Sequence, residues 1–145
     1  LSLVLFLHVF SCIFLTGLIW TIQLVHYPSF HWIADNRFEA FARFHAQRIT
    51  YIVGPMMLLE LGTALGLIYL LPHQRLFTIG NGLLVIGIWM STLGFSIPCH
   101  SKLQKSRDPK TIDRLIITNW PRTILWTVRT ALLSLFFMDQ LGGQI

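Results

Sequence analysis

Four apolar runs, each about as long as a bilayer is thick, leave this chain few ways to fold. They cover roughly residues 2–25, 49–71, 77–97 and 122–141, and a helix crossing ~30 Å of hydrocarbon needs about 20 residues. Backbone N–H and C=O groups meet no water at that depth, so a spanning segment must satisfy them internally. Runs this long and this continuous favour helices over the alternating pattern of barrel strands. The reading is therefore all-α: a transmembrane four-helix bundle in a single domain, residues 1–145, with an amphipathic interfacial helix after the first span.

Composition agrees. The chain is 54% hydrophobic and 12% charged, against about 25% charged in soluble domains. A net charge of +5 would suggest nucleic acid in a soluble protein. Here the basic residues lie between the apolar runs, where they act as topology signals and contacts to anionic lipid. Nucleic acid is not expected as a partner; membrane lipids and other transmembrane subunits are. Residues 1–25 carry no basic leader and no clear cleavage site, so a retained first span is expected rather than a signal peptide. Cys12 and Cys99 lie far apart with no CxxC, which offers no disulfide framework.

Residues 29–48 are aromatic and amphipathic, with Phe38, Phe41 and Phe44 three apart. They predict a helix lying in or leaning out of the interface, with continuity into the second span as the alternative. Pro55 predicts a kink in that span. Gly62 and Gly66 form a small-xxx-small step, expected to admit a neighbouring backbone. The link at 72–76 is short enough for an antiparallel hairpin. After Pro98-Cys99-His100 a basic link follows, in which Asp108 is placed to cap a short helix bearing Ile112, Leu115 and Ile116.

Lys and Arg are distributed three in the 26–48 link, six in the 98–122 link, one at 72–76 and none after 141. The two richer links share a side, so the bias puts them in the cytoplasm and both termini outward.

The last run carries arginine into hydrocarbon. Asn119, Arg122, Trp126 and Arg129 are spaced 3, 4 and 3 and share one helical face. Arg122 and Trp126 are expected at helix contacts, with cation–π contact to the indole available. A charge at that depth needs a partner or a wet cavity, and Glu60 is the one acid at comparable depth. Glu60 lies 12 residues past Arg48 and Arg129 lies 8 past Pro121, roughly 18 and 12 Å inward at a 1.5 Å rise. A structural ion pair fixing the second span to the fourth is the first reading. A protonated Glu60 bonded to the third span, or a place on a proton path, are the competing ones.

The chain has six histidines. His26, His31, His45 and His100 fall near the cytoplasmic boundary, His73 in the outer link and His8 inside the first span. Imidazoles ligate haem and transition metals, so His8, His26, His45 and His100 are candidate haem, metal or pigment ligands. No pair has helical ligand spacing and there is no HExxH; bonding to head groups and carbonyls is the alternative. No nucleophile elbow, Walker loop or dinucleotide fingerprint occurs, and no catalytic residue is assigned.

The phrases His26-Tyr27-Pro28-x-Phe30, Phe41-x-x-Phe44-His45, Pro98-Cys99-His100-x-x-Leu103 and Asn119-Trp120-Pro121-Arg122-Thr123-x-x-Trp126-x-x-Arg129 together resemble a family of small bacterial four-span membrane proteins. The resemblance implies a four-helix fold in a bacterial inner membrane and brings no reaction with it. Leu7-His8-Val9-Phe10 resembles the haem-binding helices of copper-resistance and protoporphyrinogen-oxidising membrane families, which implies haem at His8. Two functions are thus expected from the sequence. One is a non-catalytic subunit or assembly factor of a larger membrane complex, photosynthetic or respiratory. The other is a haem- or metal-dependent membrane oxidoreductase.

Overall fold

The computed structural model describes residues 1–142, with side chains through Asp139. Those residues are helical almost throughout and contain no strand. The chain makes four long helical stretches. The first joins α1 (Ser2–Thr21), a π-helical turn (Ile22–His26), α2 (Tyr27–Ser29) and a 3-10 turn (Phe30–Trp32). The second is α3 (Asp35–Leu70). The third joins a 3-10 turn (Pro72–Gln74), α4 (Arg75–Ser91), a second π-helical turn (Thr92–Ser96) and α5 (Ile97–Leu103). The fourth is α6 (Pro109–Gly142).

Three stretches, Ser2–Trp32, Asp35–Leu70 and Pro72–Leu103, are long and apolar enough to cross a membrane. In α6 the arginines and threonines facing its neighbours dilute the hydropathy, while Ile124, Val128, Leu132 and Leu135 cover its exposed side. Along these stretches large apolar side chains face outward, while three charged ones, Glu60, Arg122 and Arg129, are buried within.

Two expectations about local structure are corrected. The segment 29–48 is no separate interfacial helix, because from Asp35 it is the first half of α3. The predicted short helix after Asp108 likewise runs on unbroken through Pro121 to Gly142. Pro55 and Pro121 lie inside helices, and both are exposed on the outer faces. The N-terminus of α6 does carry the predicted cap. Asp108 accepts from the Lys110 amide at 3.2 Å and the Thr111 hydroxyl at 2.6 Å, with Pro109 as the first helical residue.

In α1 the buried positions Leu5, His8, Cys12, Leu15 and Ile19 alternate at spacings of three and four, the seam of a helix packed on one side. That seam meets α3 and α6, and α4 packs in turn on α3 and α6. So α1 and α4 lie across from each other, as do α3 and α6. Leu5, Leu15, Met57, Leu67, Ile88, Trp126 and Leu133 belong to one apolar core. A second core, nearer the basic links, gathers Ile22, Tyr27, Phe30, Phe38, Cys99, Leu103, Ile112 and Leu115.

The glycine step is half corrected. A Cβ on Gly66 would touch Val4 Cγ1 of α1 at 3.7 Å, but one on Gly62 would meet nothing within 4 Å. Gly62 is exposed and its Cβ direction faces away from any neighbouring helix; Thr63 and Ala64 are the buried residues at that level.

Candidate functional site

At the centre of the first core six polar side chains from four helices close a single network. Arg129 of α6 donates through Nη1 to Glu60 Oε1 of α3 at 2.7 Å, and both residues are fully buried. Trp126, one turn earlier, donates its indole N–H to both Glu60 oxygens at 3.2 Å. Arg129 Nε donates to Asn81 Oδ1 of α4 at 3.0 Å. Asn81 Nδ2 lies 2.9 Å from His8 Nε2 of α1, and Arg129 Nη2 lies 3.4 Å from the same nitrogen. His8 Nδ1 is 2.8 Å from Thr63 Oγ1, whose hydroxyl donates to the Leu59 carbonyl at 2.7 Å.

This pattern fixes protonation by bookkeeping. His8 Nε2 faces only donors, so it accepts; Nδ1 then carries the proton and donates to Thr63. Glu60 takes a guanidinium and an indole N–H, which suits a carboxylate and not a neutral acid. Arg129 and Glu60 join one pair of opposite helices, and His8 and Asn81 join the other. With every member partnered, the network resists sliding or rotation of any one helix, since any slip breaks charge-assisted bonds away from water.

Sequence spacing brought Glu60 and Arg129 together; Asn81 stands out in sequence only as a weakly polar group suited to helix contact, with no partner indicated, and Thr63 was missed. Their only signal is polarity inside an apolar run. Cation–π contact at Trp126 is not found: among the described residues arginines stack on Phe44 and Phe38, and Trp126 serves as a hydrogen-bond donor. At His8, both ring nitrogens are engaged within the protein, so a haem axial bond there would require breaking the Asn81 contact.

A second cluster lies toward the basic links. His26 Nε2 and His45 Nδ1 are 2.6 Å apart, and the His45 and His100 rings have centroids 5.2 Å apart. His100 Nε2 meets the Tyr27 hydroxyl at 3.1 Å, while His45 Nε2 is buried without a partner. His31 turns away to Asp113 at 2.9 Å, and His73 is exposed in its link. So His26, His45 and His100 do converge, packed edge-on around Phe30. Among the described residues no group of three or more His, Cys, Asp or Glu side chains is arranged to hold a metal ion. The first pair is joined nitrogen to nitrogen, which leaves no gap for an ion between them.

Between the two clusters runs a third polar chain. Asn119 Nδ2 donates to Gln23 Oε1 at 2.7 Å and Asn119 Oδ1 accepts from Arg122 Nη2. Arg122 Nη1 donates to Thr92 Oγ1 at 3.2 Å. Gln23 and Thr92 each sit in a π-helical turn. Such turns widen the backbone and recur at functional sites.

Comparison of the chain with protein-family models, curated proteins and solved structures finds no match.

Proposed function

We propose that this is an integral membrane four-helix protein acting as a non-catalytic subunit or assembly factor of a larger membrane complex. The observation that carries the reading is the closed network at Glu60 and Arg129. It engages both nitrogens of His8 and both oxygens of Glu60 in holding helices together. A side chain so engaged is a fastener rather than a waiting ligand or proton carrier. The fastened core presents an apolar exterior, including the ladder of rings Phe6, Phe10 and Phe14 along α1, to lipid or to neighbouring spans. The polar links are too small to form a domain of their own. In this reading α6 is the fourth crossing, the basic links face the cytoplasm of a bacterial inner membrane, and both termini face outward.

Untagged purification from the native membrane tests it. Co-migration with a defined complex, and loss of that complex on deletion of the protein, is the expected result. Which complex it is, photosynthetic or respiratory, follows from the co-purifying subunits. A protein that runs alone with a Soret band, or with stoichiometric iron or copper lost on His8→Ala or His100→Ala substitution, would replace this reading with the oxidoreductase one.

A further inference from the structure

Arg122 is a buried cation that no anion among the described residues answers. It is 4% exposed, and its two hydrogen-bond acceptors, Thr92 Oγ1 and Asn119 Oδ1, are neutral. Its Nε has no partner. The acids are committed elsewhere: Asp35 to Arg107, Glu39 to Arg43, Glu60 to Arg129, Asp108 to Lys102 and Asp113 to His31. The sixth, Asp139, lies 139 − 122 = 17 residues along the same helix, roughly 25 Å away at 1.5 Å per residue. A guanidinium held out of water without a counter-charge is among the most unfavourable arrangements a folded chain can keep. It persists where something supplies the charge.

Beside it is a cavity of about 250 Å³ among α1, α3, α4 and α6. Its walls are overwhelmingly apolar, and its few polar groups include Arg122, Trp89 and Ser96. Trp89 Nε1 and Ser96 Oγ are, like Arg122 Nε, buried without a partner. Arg122 Nε–H and the indole N–H can only donate, and the hydroxyl is able to. Such a set is complementary to a group that only accepts, and the positive charge among them selects an anion. Both π-helical turns border the space, through Ile22 and through Thr92 and Ser96.

We propose that this cavity binds a single-chain anionic amphiphile, a long-chain carboxylate, with its head on Arg122, Trp89 and Ser96 and its hydrocarbon along the α1–α3 wall. The size admits no more than one chain: small-molecule pockets run from roughly 300 to 1,000 Å³, and at about 250 Å³ this one is just below that range. A phospholipid offers the same chemistry, an oxyanion on hydrocarbon, from a different source. The inference needs only the cavity and Arg122 and does not depend on which complex the protein joins.

The chain's own tryptophans report the site, because Trp89 and Trp126 line the cavity. Purified protein in neutral detergent is titrated with a dibrominated long-chain fatty acid, the matching brominated alcohol, and brominated phosphatidylglycerol, and quenching is followed. Saturable quenching by the acid, at least about tenfold tighter than by the alcohol, is expected; tenfold is near the least a charge-assisted hydrogen bond contributes. Arg122→Gln should erase that preference. Phosphatidylglycerol outcompeting the acid with the same Arg122 dependence keeps the oxyanion site and assigns it to lipid. Equal affinity for acid and alcohol, or no saturable quenching by any probe, overturns the proposal and leaves the cavity to water. Should Arg122→Gln not fold, Gly54→Leu decides, since Gly54 lines the cavity and its Cβ position meets only Thr50 Cγ2 at 3.9 Å. Loss of saturable quenching there supports the site, and unchanged quenching refutes it.

Discussion

Replacing Glu60 or Arg129 singly leaves the other charge buried with no counter-ion. Removing one partner of a buried pair costs about 3–5 kcal/mol. In Glu60→Gln, the amide keeps one acceptor oxygen where the carboxylate gave two, so Arg129 Nη1 at 2.7 Å and Trp126 at 3.2 Å compete for it. In Arg129→Met, Glu60 retains only the indole, and Asn81 Oδ1 loses its donor. Neutral interhelical hydrogen bonds in membranes average only ~0.6 kcal/mol, so a loss of 3 kcal/mol or more identifies the charges themselves. The double variant removes both ions and should be less destabilised than the sum of the singles by about 2–3 kcal/mol. Equilibrium unfolding in mixed micelles, followed by far-UV circular dichroism, measures all four corners of the cycle. Additivity within ~0.5 kcal/mol would mean that the two residues do not act on each other. A Glu60→Gln cost below ~1 kcal/mol would indicate an acid that was neutral from the start, which refutes the ion pair on separate grounds.

Further outcomes follow from individual contacts. His45→Phe should cost about 1 kcal/mol: it keeps a ring among Phe30, His26 and His100 and removes the unpartnered Nε2, but it also loses the Nδ1 contact to His26 Nε2, a single hydrogen bond. A loss of several kcal/mol in the same unfolding assay would assign His45 Nε2 a partner. Gly66→Leu should cost about 1–3 kcal/mol through overpacking against Val4, while Gly62→Leu, pointing outward, should be near neutral; thermal melts that reverse this order would contradict the α1–α3 register. At Asp108, the hydrogen bonds from Lys102 and Thr111 push the carboxyl down to about 2. Its folded value is below its ordinary one, so its contribution is complete above about pH 4 and fades as pH falls toward 2. The stability gap between wild type and Asp108→Ala should therefore be constant from pH 7 to 4 and shrink below, and a gap that widens on acidification would be the wrong sign.

The sequence carries the helices well because hydrophobic length is a one-dimensional property. The apolar runs at 2–25 and 77–97 lie within helical stretches that are apolar and long enough to span, and the run at 49–71 matches the end of another to within one residue. Continuity is harder to read. Pro55 suggests a kink in sequence, and a proline inside a helix loses one bond and crowds the carbonyl four residues back, yet the helices continue through Pro55 and Pro121. The amphipathic stretch before Glu60 and the segment capped by Asp108 both extend into long helices. The Glu60–Arg129 contact was legible because charges inside apolar runs are rare enough to name each other. Asn81, Thr63 and the indole of Trp126 were not, since a weakly polar residue in a span gives no hint of which helix it faces. Gly62 shows the converse failure: a small-xxx-small step marks a face only once the helix rotation is known. The π-helical turns at 22–26 and 92–96 leave no trace in local propensity. With them went the cavity and the unanswered charge of Arg122, which depend on how four helices close together.

The most direct test of the central claim is a carbon–nitrogen dipolar-recoupling measurement by solid-state NMR in lipid bilayers, with label at the Glu60 carboxyl carbon and the Arg129 guanidinium nitrogens. The 2.7 Å Nη1–Oε1 contact predicts strong dephasing, lost on Arg129→Met. Absence of dephasing in folded protein would put the two charges apart and contradict the account of what holds these helices together.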